Sequence, residues 1–274
     1  MKVHPQHNNL LLFNLLDNEG AISHFSTTRT GGVSDGAYAS LNTGNFSDDS
    51  PLNIHENRKI IARMFYMETD EFIIPHQTHG TKVLVVDKDF LGLEHSLAIE
   101  TLYGVDAVVT NEKGIFLCIT TADCVPVLLY DREKDVIAAI HAGWKGTVGG
   151  IVEKTIRKMI CQYGSSPKNI VAGIGPAICP AHYEVGNEVV EQFITSGFNL
   201  SDESVCYRKR EGSKYFLNLK EINRRELLRL GVSESLIEKS DLCTFEEQEL
   251  FFSARRQTVH SGRMLTGIMI KRRA

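Results

Sequence analysis

Between residues 105 and 140 the chain carries a succession of short, almost continuously apolar runs, at 105–109, 115–119, 125–130 and 136–140. Runs of this length, separated by polar turns, read as strands covered on both faces. Further strand patterns fall at 10–13, 22–25, 72–74, 81–86, 170–174 and 264–270. Helical spacing appears between them. Ser50 and Pro51 mark an N-cap and first turn for a helix to about residue 67, and Gly164 suits the C-cap of a helix over 148–163. A helix is also expected over 184–193, and another from a capping-box-like Asn218 and Glu221 to Gly231. Strand runs with interspersed helices imply an α+β chain with mixed sheets. No internal repeat, low-complexity tract or linker divides residues 1–274, so one domain is expected.

Composition removes several function classes. Thirty Lys+Arg against 34 Asp+Glu leave a formal charge of -4, which gives no field for gripping a nucleic-acid backbone. Only Lys271-Arg272-Arg273 forms a small basic tail. No apolar run reaches the ~20 residues that cross a bilayer, so no membrane partner is expected. The start, Met1-Lys2-Val3-His4-Pro5-Gln6, has no signal-peptide core, which points to the cytoplasm. There the scattered Cys118, Cys124, Cys161, Cys179, Cys206 and Cys243 are not expected to pair as disulfides, and most read as small buried hydrophobes. The sequence leaves the number of subunits open.

Chemistry concentrates at strand ends. Pro75-His76-Gln77-Thr78-His79-Gly80 is a polar turn, Asp123-Cys124-Val125-Pro126 a strand junction, and His141-Ala142-Gly143-Trp144-Lys145-Gly146 a strand-to-helix passage. His and Cys are ligands for zinc or copper, and two His with one Cys would leave a coordination position open. Taken singly, each of these residues is more often a turn histidine bonded to backbone or a buried thiol; three at comparable junctions narrow that difference. Gly143 and Gly146 with Lys145 suit an anion such as phosphate, or are a plain glycine-rich connection. The long polar stretch from residue 27 to 50 offers Arg29 beside Gly31-Gly32, as a second anion site or a solvated surface charge.

Taken in order, a set of motifs resembles one known family. They are Ser26 to Ser34, Leu41-Asn42, Gln77-Thr78-His79-Gly80, Ala122-Asp123-Cys124-Val125-Pro126, His141 to Gly146, Gly173 to Ile178, Phe251 to Arg256 and Ser261-Gly262-Arg263. This pattern resembles the laccase-domain family, also called multicopper polyphenol oxidase or bacterial purine nucleoside phosphorylase proteins. The resemblance implies a four-layer αββα sandwich. It also implies a metal, usually zinc with copper as an alternative, held by His79, Cys124 and His141. His76 lies outside the matched pattern, and Thr258 stands in a turn where the family commonly carries Gly. The implied substrates are purine nucleosides and phosphate, through phosphorolysis of adenosine, inosine and methylthioadenosine and deamination of adenosine. Arg29, Asn42, Gln77 and Lys145 are then the expected substrate- or phosphate-binding residues.

Three other readings compete. Cys124 and His141 could serve as nucleophile and base of a cysteine hydrolase. A copper-dependent polyphenol oxidase needs additional histidines, and no His-x-His pair occurs among the ten His. A non-catalytic binding module would have no use for a soft ligand triad.

Overall fold

The apolar runs become strands in a computed structural model that describes residues 1–45, 47–210 and 214–272, so Arg273 of the basic tail lies outside the described residues. One six-stranded sheet runs, edge to edge, Lys2–Val3, Leu10–Leu12, Ile22–Thr27, Met264–Ile270, Phe116–Thr121 and Phe72–Ile73. A second runs Ile237–Lys239, Ile170–Ile174, Val125–Asp131, Val136–Ala142, Val105–Thr110 and Lys82–Val85. Parallel and antiparallel pairings occur in both.

Side-chain alternation shows why the central strands are apolar on both faces. In Phe116–Thr121, Leu117 and Ile119 enter a core shared with Leu128, Tyr130 and Ile137 of the second sheet. Phe116 and Cys118 point the other way and pack with Ile61 and Ala62 of the helix Pro51–Met64. In Val125–Asp131, Leu128 and Tyr130 face the first sheet, while Val127 and Leu129 join Ile151, Ile156 and Met159 of the helix Ile151–Tyr163. The layers are therefore helix, sheet, sheet, helix: a four-layer αββα sandwich. Each fully buried Ile or Leu contributes roughly 1.5–3 kcal/mol, so both faces of each sheet stabilise the fold. Among the described residues no helix is long and apolar enough to cross a membrane.

Several boundaries differ from expectation. Residues 148–163 do not form one helix, because the chain breaks at Gly150, in the left-handed region at φ 75°. A short helix, Trp144–Val148, precedes the break, and Gly164 closes the longer helix at φ 68°. Residues 184–193 begin as a strand, Glu184–Val185, and the helix starts only after Gly186, as Asn187–Thr195. That strand belongs to a small third sheet with Tyr215–Leu217 and Cys206–Arg208, whose two- and three-residue strands are too short to show in the sequence. Asn218 does cap its helix, accepting the Glu221 amide at 3.2 Å. Thr258 sits at φ 62°, ψ -156°, a region that glycine alone occupies without strain.

The long polar stretch is tethered from within. Fully buried Asn57 accepts the Val33 amide at 2.8 Å and donates to Ser34 Oγ, Ser40 O and Asn42 O at 2.9, 3.1 and 2.8 Å. One amide thus satisfies backbone and hydroxyl groups that would otherwise be buried without partners.

Candidate metal centre and active site

Sheet register assembles the centre. Val125 pairs with Ala142 and Pro126 with His141, which sets Cys124 across from Gly143 at the mouth of the hairpin. On the other side Ala107 pairs with Ile140, so Asp106 falls opposite His141. Lys82 pairs with Val105, bringing the turn that carries His79 to the same sheet end. The ligand atoms of His79, Cys124 and His141 all lie within 4.8 Å of one another. The two imidazoles stand edge to face, with centroids 4.8 Å apart.

Asp106 ties this arrangement together. It is fully buried, and its Oδ1 lies 2.8 Å from His141 Nδ1. It also accepts the amides of Thr78, His79 and Gly80 at 3.2, 2.9 and 2.7 Å. One carboxylate thereby orients the His141 ring, leaving Nε2 for the cavity, and fixes the His79 turn, where His79 has φ 61°. Burial alone would raise the Asp106 pKa, but the bonds from His141 and the turn amides hold it below the ordinary carboxylate value. Burial would likewise raise the Cys124 thiol and depress His141; their mutual attraction reverses both, lowering the thiol and raising the imidazole.

The space beside the three ligands fits a metal. A Cβ on Gly143 would come 3.1 Å from both Cys124 Sγ and His79 Cδ2, so glycine leaves the room these side chains need to converge. A thiolate with two imidazoles is a borderline-soft donor set suited to zinc or copper. Asp123 holds Cys124 in place from behind. It has φ 83°, its carboxylate accepts Thr244 Oγ1, Ser253 Oγ and the Arg255 amide at 2.6, 3.0 and 2.7 Å, and its carbonyl accepts the Ile178 amide at 3.1 Å.

The ligands open into a cavity of about 440 Å³ whose walls include Trp144, Tyr183, Arg255 and Arg263. That size suits a small organic ligand. The model of the family described as multi-copper polyphenol oxidoreductase laccase matches residues 23–271. The chain belongs to that family. A purine nucleoside phosphorylase of Bacteroides thetaiotaomicron is 43% identical over 261 residues, 95% of this chain and 96% of the relative. Adenosine deaminase RL5, from an unknown prokaryotic organism, is 39% identical over 91% of this chain and 94% of its own length. Among solved structures, the Bacillus licheniformis protein YfiH superposes with a TM-score of 0.88 at 34% identity, covering 96% of this chain and 97% of that one.

Within this laccase-family chain the residues named from sequence are distributed unevenly. His79, Cys124 and His141 meet, and Gln77 lines the cavity. The Gln77 amide is engaged with Thr120, donating to its carbonyl at 2.8 Å and accepting its amide at 2.7 Å. Arg29 lies outside the lining, donating to the carbonyls of Ala39 and Gln248 at 2.7 and 3.2 Å over the Phe252 ring. Lys145 is exposed and also outside, 5.7 Å from the Trp144 ring centroid. Asn42 is fully buried and braces the rim, accepting the amides of Gly44 and Arg263 at 3.0 and 2.9 Å. His76 packs against Tyr103, with ring centroids 4.5 Å apart.

Sequence reasoning passed over Asp106, Asp123, Arg255 and Arg263. Asp106 could have been flagged as an acid inside an apolar strand. The two arginines stood in motifs that were matched without being given a role.

Proposed function

We propose that the chain is a zinc-dependent purine nucleoside phosphorylase, acting on adenosine, inosine and methylthioadenosine, with adenosine deaminase activity. The observation that carries this reading is the convergence of His79, Cys124 and His141 on one cavity that also holds Arg255 and Arg263. The names of its relatives supply the substrate class. Residues 1–274 are read as one domain because a single core joins the two sheets.

Zinc bound by His79, Cys124 and His141 would supply Lewis acidity at the reacting centre. The protein does the rest. Asp106 keeps the proton of His141 on Nδ1, so that Nε2 faces the ligand position. Trp144 and Tyr183 offer aromatic faces against which a purine can stack. Arg263 and Arg255 are the cations nearest to hand for phosphate. Arg263 is anchored through Nη1 to the Ser261 and Gly262 carbonyls, and Arg255 through Nη1 to the His182 and Glu184 carbonyls, which pre-orients both without neutralising them. Electrostatic stabilisation of charge developing on the leaving purine would come from the same wall.

A second reading has one specific observation in its favour. Cys124, His141 and Asp106 form a thiol–imidazole–carboxylate chain of the kind cysteine hydrolases use. It leaves His79 and the open space at Gly143 without a purpose, and for that reason the metal reading is preferred. Polyphenol oxidation is disfavoured because the centre supplies one Cys and two His, a set for a single metal.

The deciding experiment incubates metal-replete and metal-stripped protein with adenosine and phosphate. Adenine and ribose 1-phosphate should form only with the replete protein, and inosine should form when phosphate is omitted. Turnover by stripped protein that iodoacetamide abolishes would instead establish the thiol reading.

A further inference from the structure

Two short motifs away from the first centre face one another. Cys179 and His182 stand three residues apart in the segment that follows Ile170–Ile174. Cys243 and Glu246 stand three apart after Ile237–Lys239. These strands are parallel neighbours, with Ala172 opposite Ile237 and Ile174 opposite Lys239. Both segments therefore leave the sheet on the same side, and a further bridge joins Ala177 to Cys243. A C-x-x-H is thus laid against a C-x-x-E.

The side chains close the arrangement. Glu246 Oε1 lies 3.0 Å from His182 Nε2 and 3.6 Å from Cys179 Sγ. The ligand atoms of Cys179, His182 and Glu246 all fall within 4.8 Å of one another. Cys243 Sγ accepts the Cys179 amide at 3.2 Å, which places the second sulfur beside the first. The His182 ring is held by stacking on Phe245, with centroids 4.3 Å apart.

We propose that Cys179, His182 and Glu246 form a second, structural zinc site, with the neighbouring Cys243 drawn in as its fourth donor. Zinc takes Cys, His and carboxylate ligands in a tetrahedron, and bond lengths of about 2.0–2.3 Å give ligand-to-ligand edges of roughly 3.3–3.7 Å. The N–O and S–O separations of 3.0 and 3.6 Å are close to such edges before any ion has drawn the ligands in. Three of the donors carry negative charge when deprotonated, so a cation also relieves their mutual repulsion. None of the four residues takes part in the first centre.

Such an ion would staple one wall of the active cavity. Ile178 and Tyr183, which flank the Cys179 motif, both line that cavity. Thr244, beside Cys243, donates to the Asp123 carboxylate that stands next to Cys124. The second zinc would therefore hold the Tyr183 face and the Asp123 support in register. It is a positioning site and touches no reacting atom.

The test is zinc stoichiometry of the full chain, stripped by chelator under reducing conditions, titrated with zinc alone and read by native mass spectrometry. Two equivalents are expected for the wild type, one for Cys124→Ala and one for Cys179→Ser. Glu246→Gln, a change at a half-exposed side chain, should weaken one of the two equivalents at least ten-fold and leave the other unchanged. Wild-type protein that binds a single equivalent lost in Cys124→Ala overturns the proposal, as do two equivalents that survive Cys179→Ser and His182→Gln together. One equivalent retained by Cys124→Ala upholds the second site even if the first centre proves not to bind zinc.

Discussion

Asp106 and His141 face each other across neighbouring antiparallel strands, with the carboxylate Oδ1 2.8 Å from the imidazole Nδ1. The same carboxylate receives three amides from the turn that carries His79. Both histidines of the centre are consequently set by one side chain. Asp106→Asn keeps the shape but removes the charge, and should weaken metal binding about 10–100-fold. Competition against a chromophoric zinc chelator measures this, and an unchanged affinity would separate Asp106 from the metal centre.

At Gly143 an added methyl group would meet two ligands together, 3.1 Å from each. Its φ of -66° is open to alanine, so the backbone is not the obstacle. Gly143→Ala should therefore fold with a nearly unchanged melting temperature while losing metal affinity about ten-fold or more. A fall in melting temperature with full metal affinity would mean that the glycine serves packing alone.

The two arginine sets give opposite expectations in phosphorolysis. Arg263→Lys or Arg255→Gln should raise KM for phosphate, by about 10- to 150-fold if a charged hydrogen bond worth roughly 1.5–3 kcal/mol is lost. Arg29→Lys should leave that KM unaltered, since Arg29 lies outside the cavity lining that holds Arg255 and Arg263. Initial rates at varied phosphate distinguish them, and the reverse pattern would restore Arg29 as the phosphate ligand.

Acid should destabilise the first sheet through His24. This ring is buried, and its Nε2 accepts the Phe13 amide at 2.8 Å, so it is held neutral. Burial is the main reason that its pKa falls to about 4 in the folded state from 6.5. A lowered histidine pKa means that the unfolded chain binds the proton first. Its stabilising share is complete above about pH 6.5 and is lost as pH falls toward 4, amounting to about 3 kcal/mol. Urea unfolding midpoints at pH 7 and pH 4.5 should move less in His24→Gln than in the wild type. Equal movement would assign the acid sensitivity elsewhere.

What could be read from the sequence was whatever depends on local pattern. The strands at 105–142 announce themselves because their side chains are almost continuously apolar, and the three ligand segments stand out because polar residues interrupt those strands at their ends. Asp106 shows at that level only as an acid inside an apolar strand. Its meaning depends on the pairing of residue 107 with 140, which no local pattern specifies. Arg29 and Lys145 were named for a related reason: a cation beside glycines looks available in the sequence, and only the tertiary structure shows that both lie outside the cavity lining. The third sheet escaped because Cys206–Arg208 and Tyr215–Leu217, three residues each, are too short for alternation to register.

The place of Met264–Ile270 in the first sheet has a consequence for how the molecule is made. This strand lies between Ile22–Thr27 and Phe116–Thr121, yet it is translated after every other sheet strand described above. Contacts so distant along the chain slow folding, because the intervening loop must close before they reward it. A nascent chain that has already emitted all three candidate metal ligands still lacks the middle of its first sheet, and Arg263 with it. The ribosome therefore releases a fully formed pocket only at the end of this stretch, so an arrested or truncated product should be inert as well as unstable.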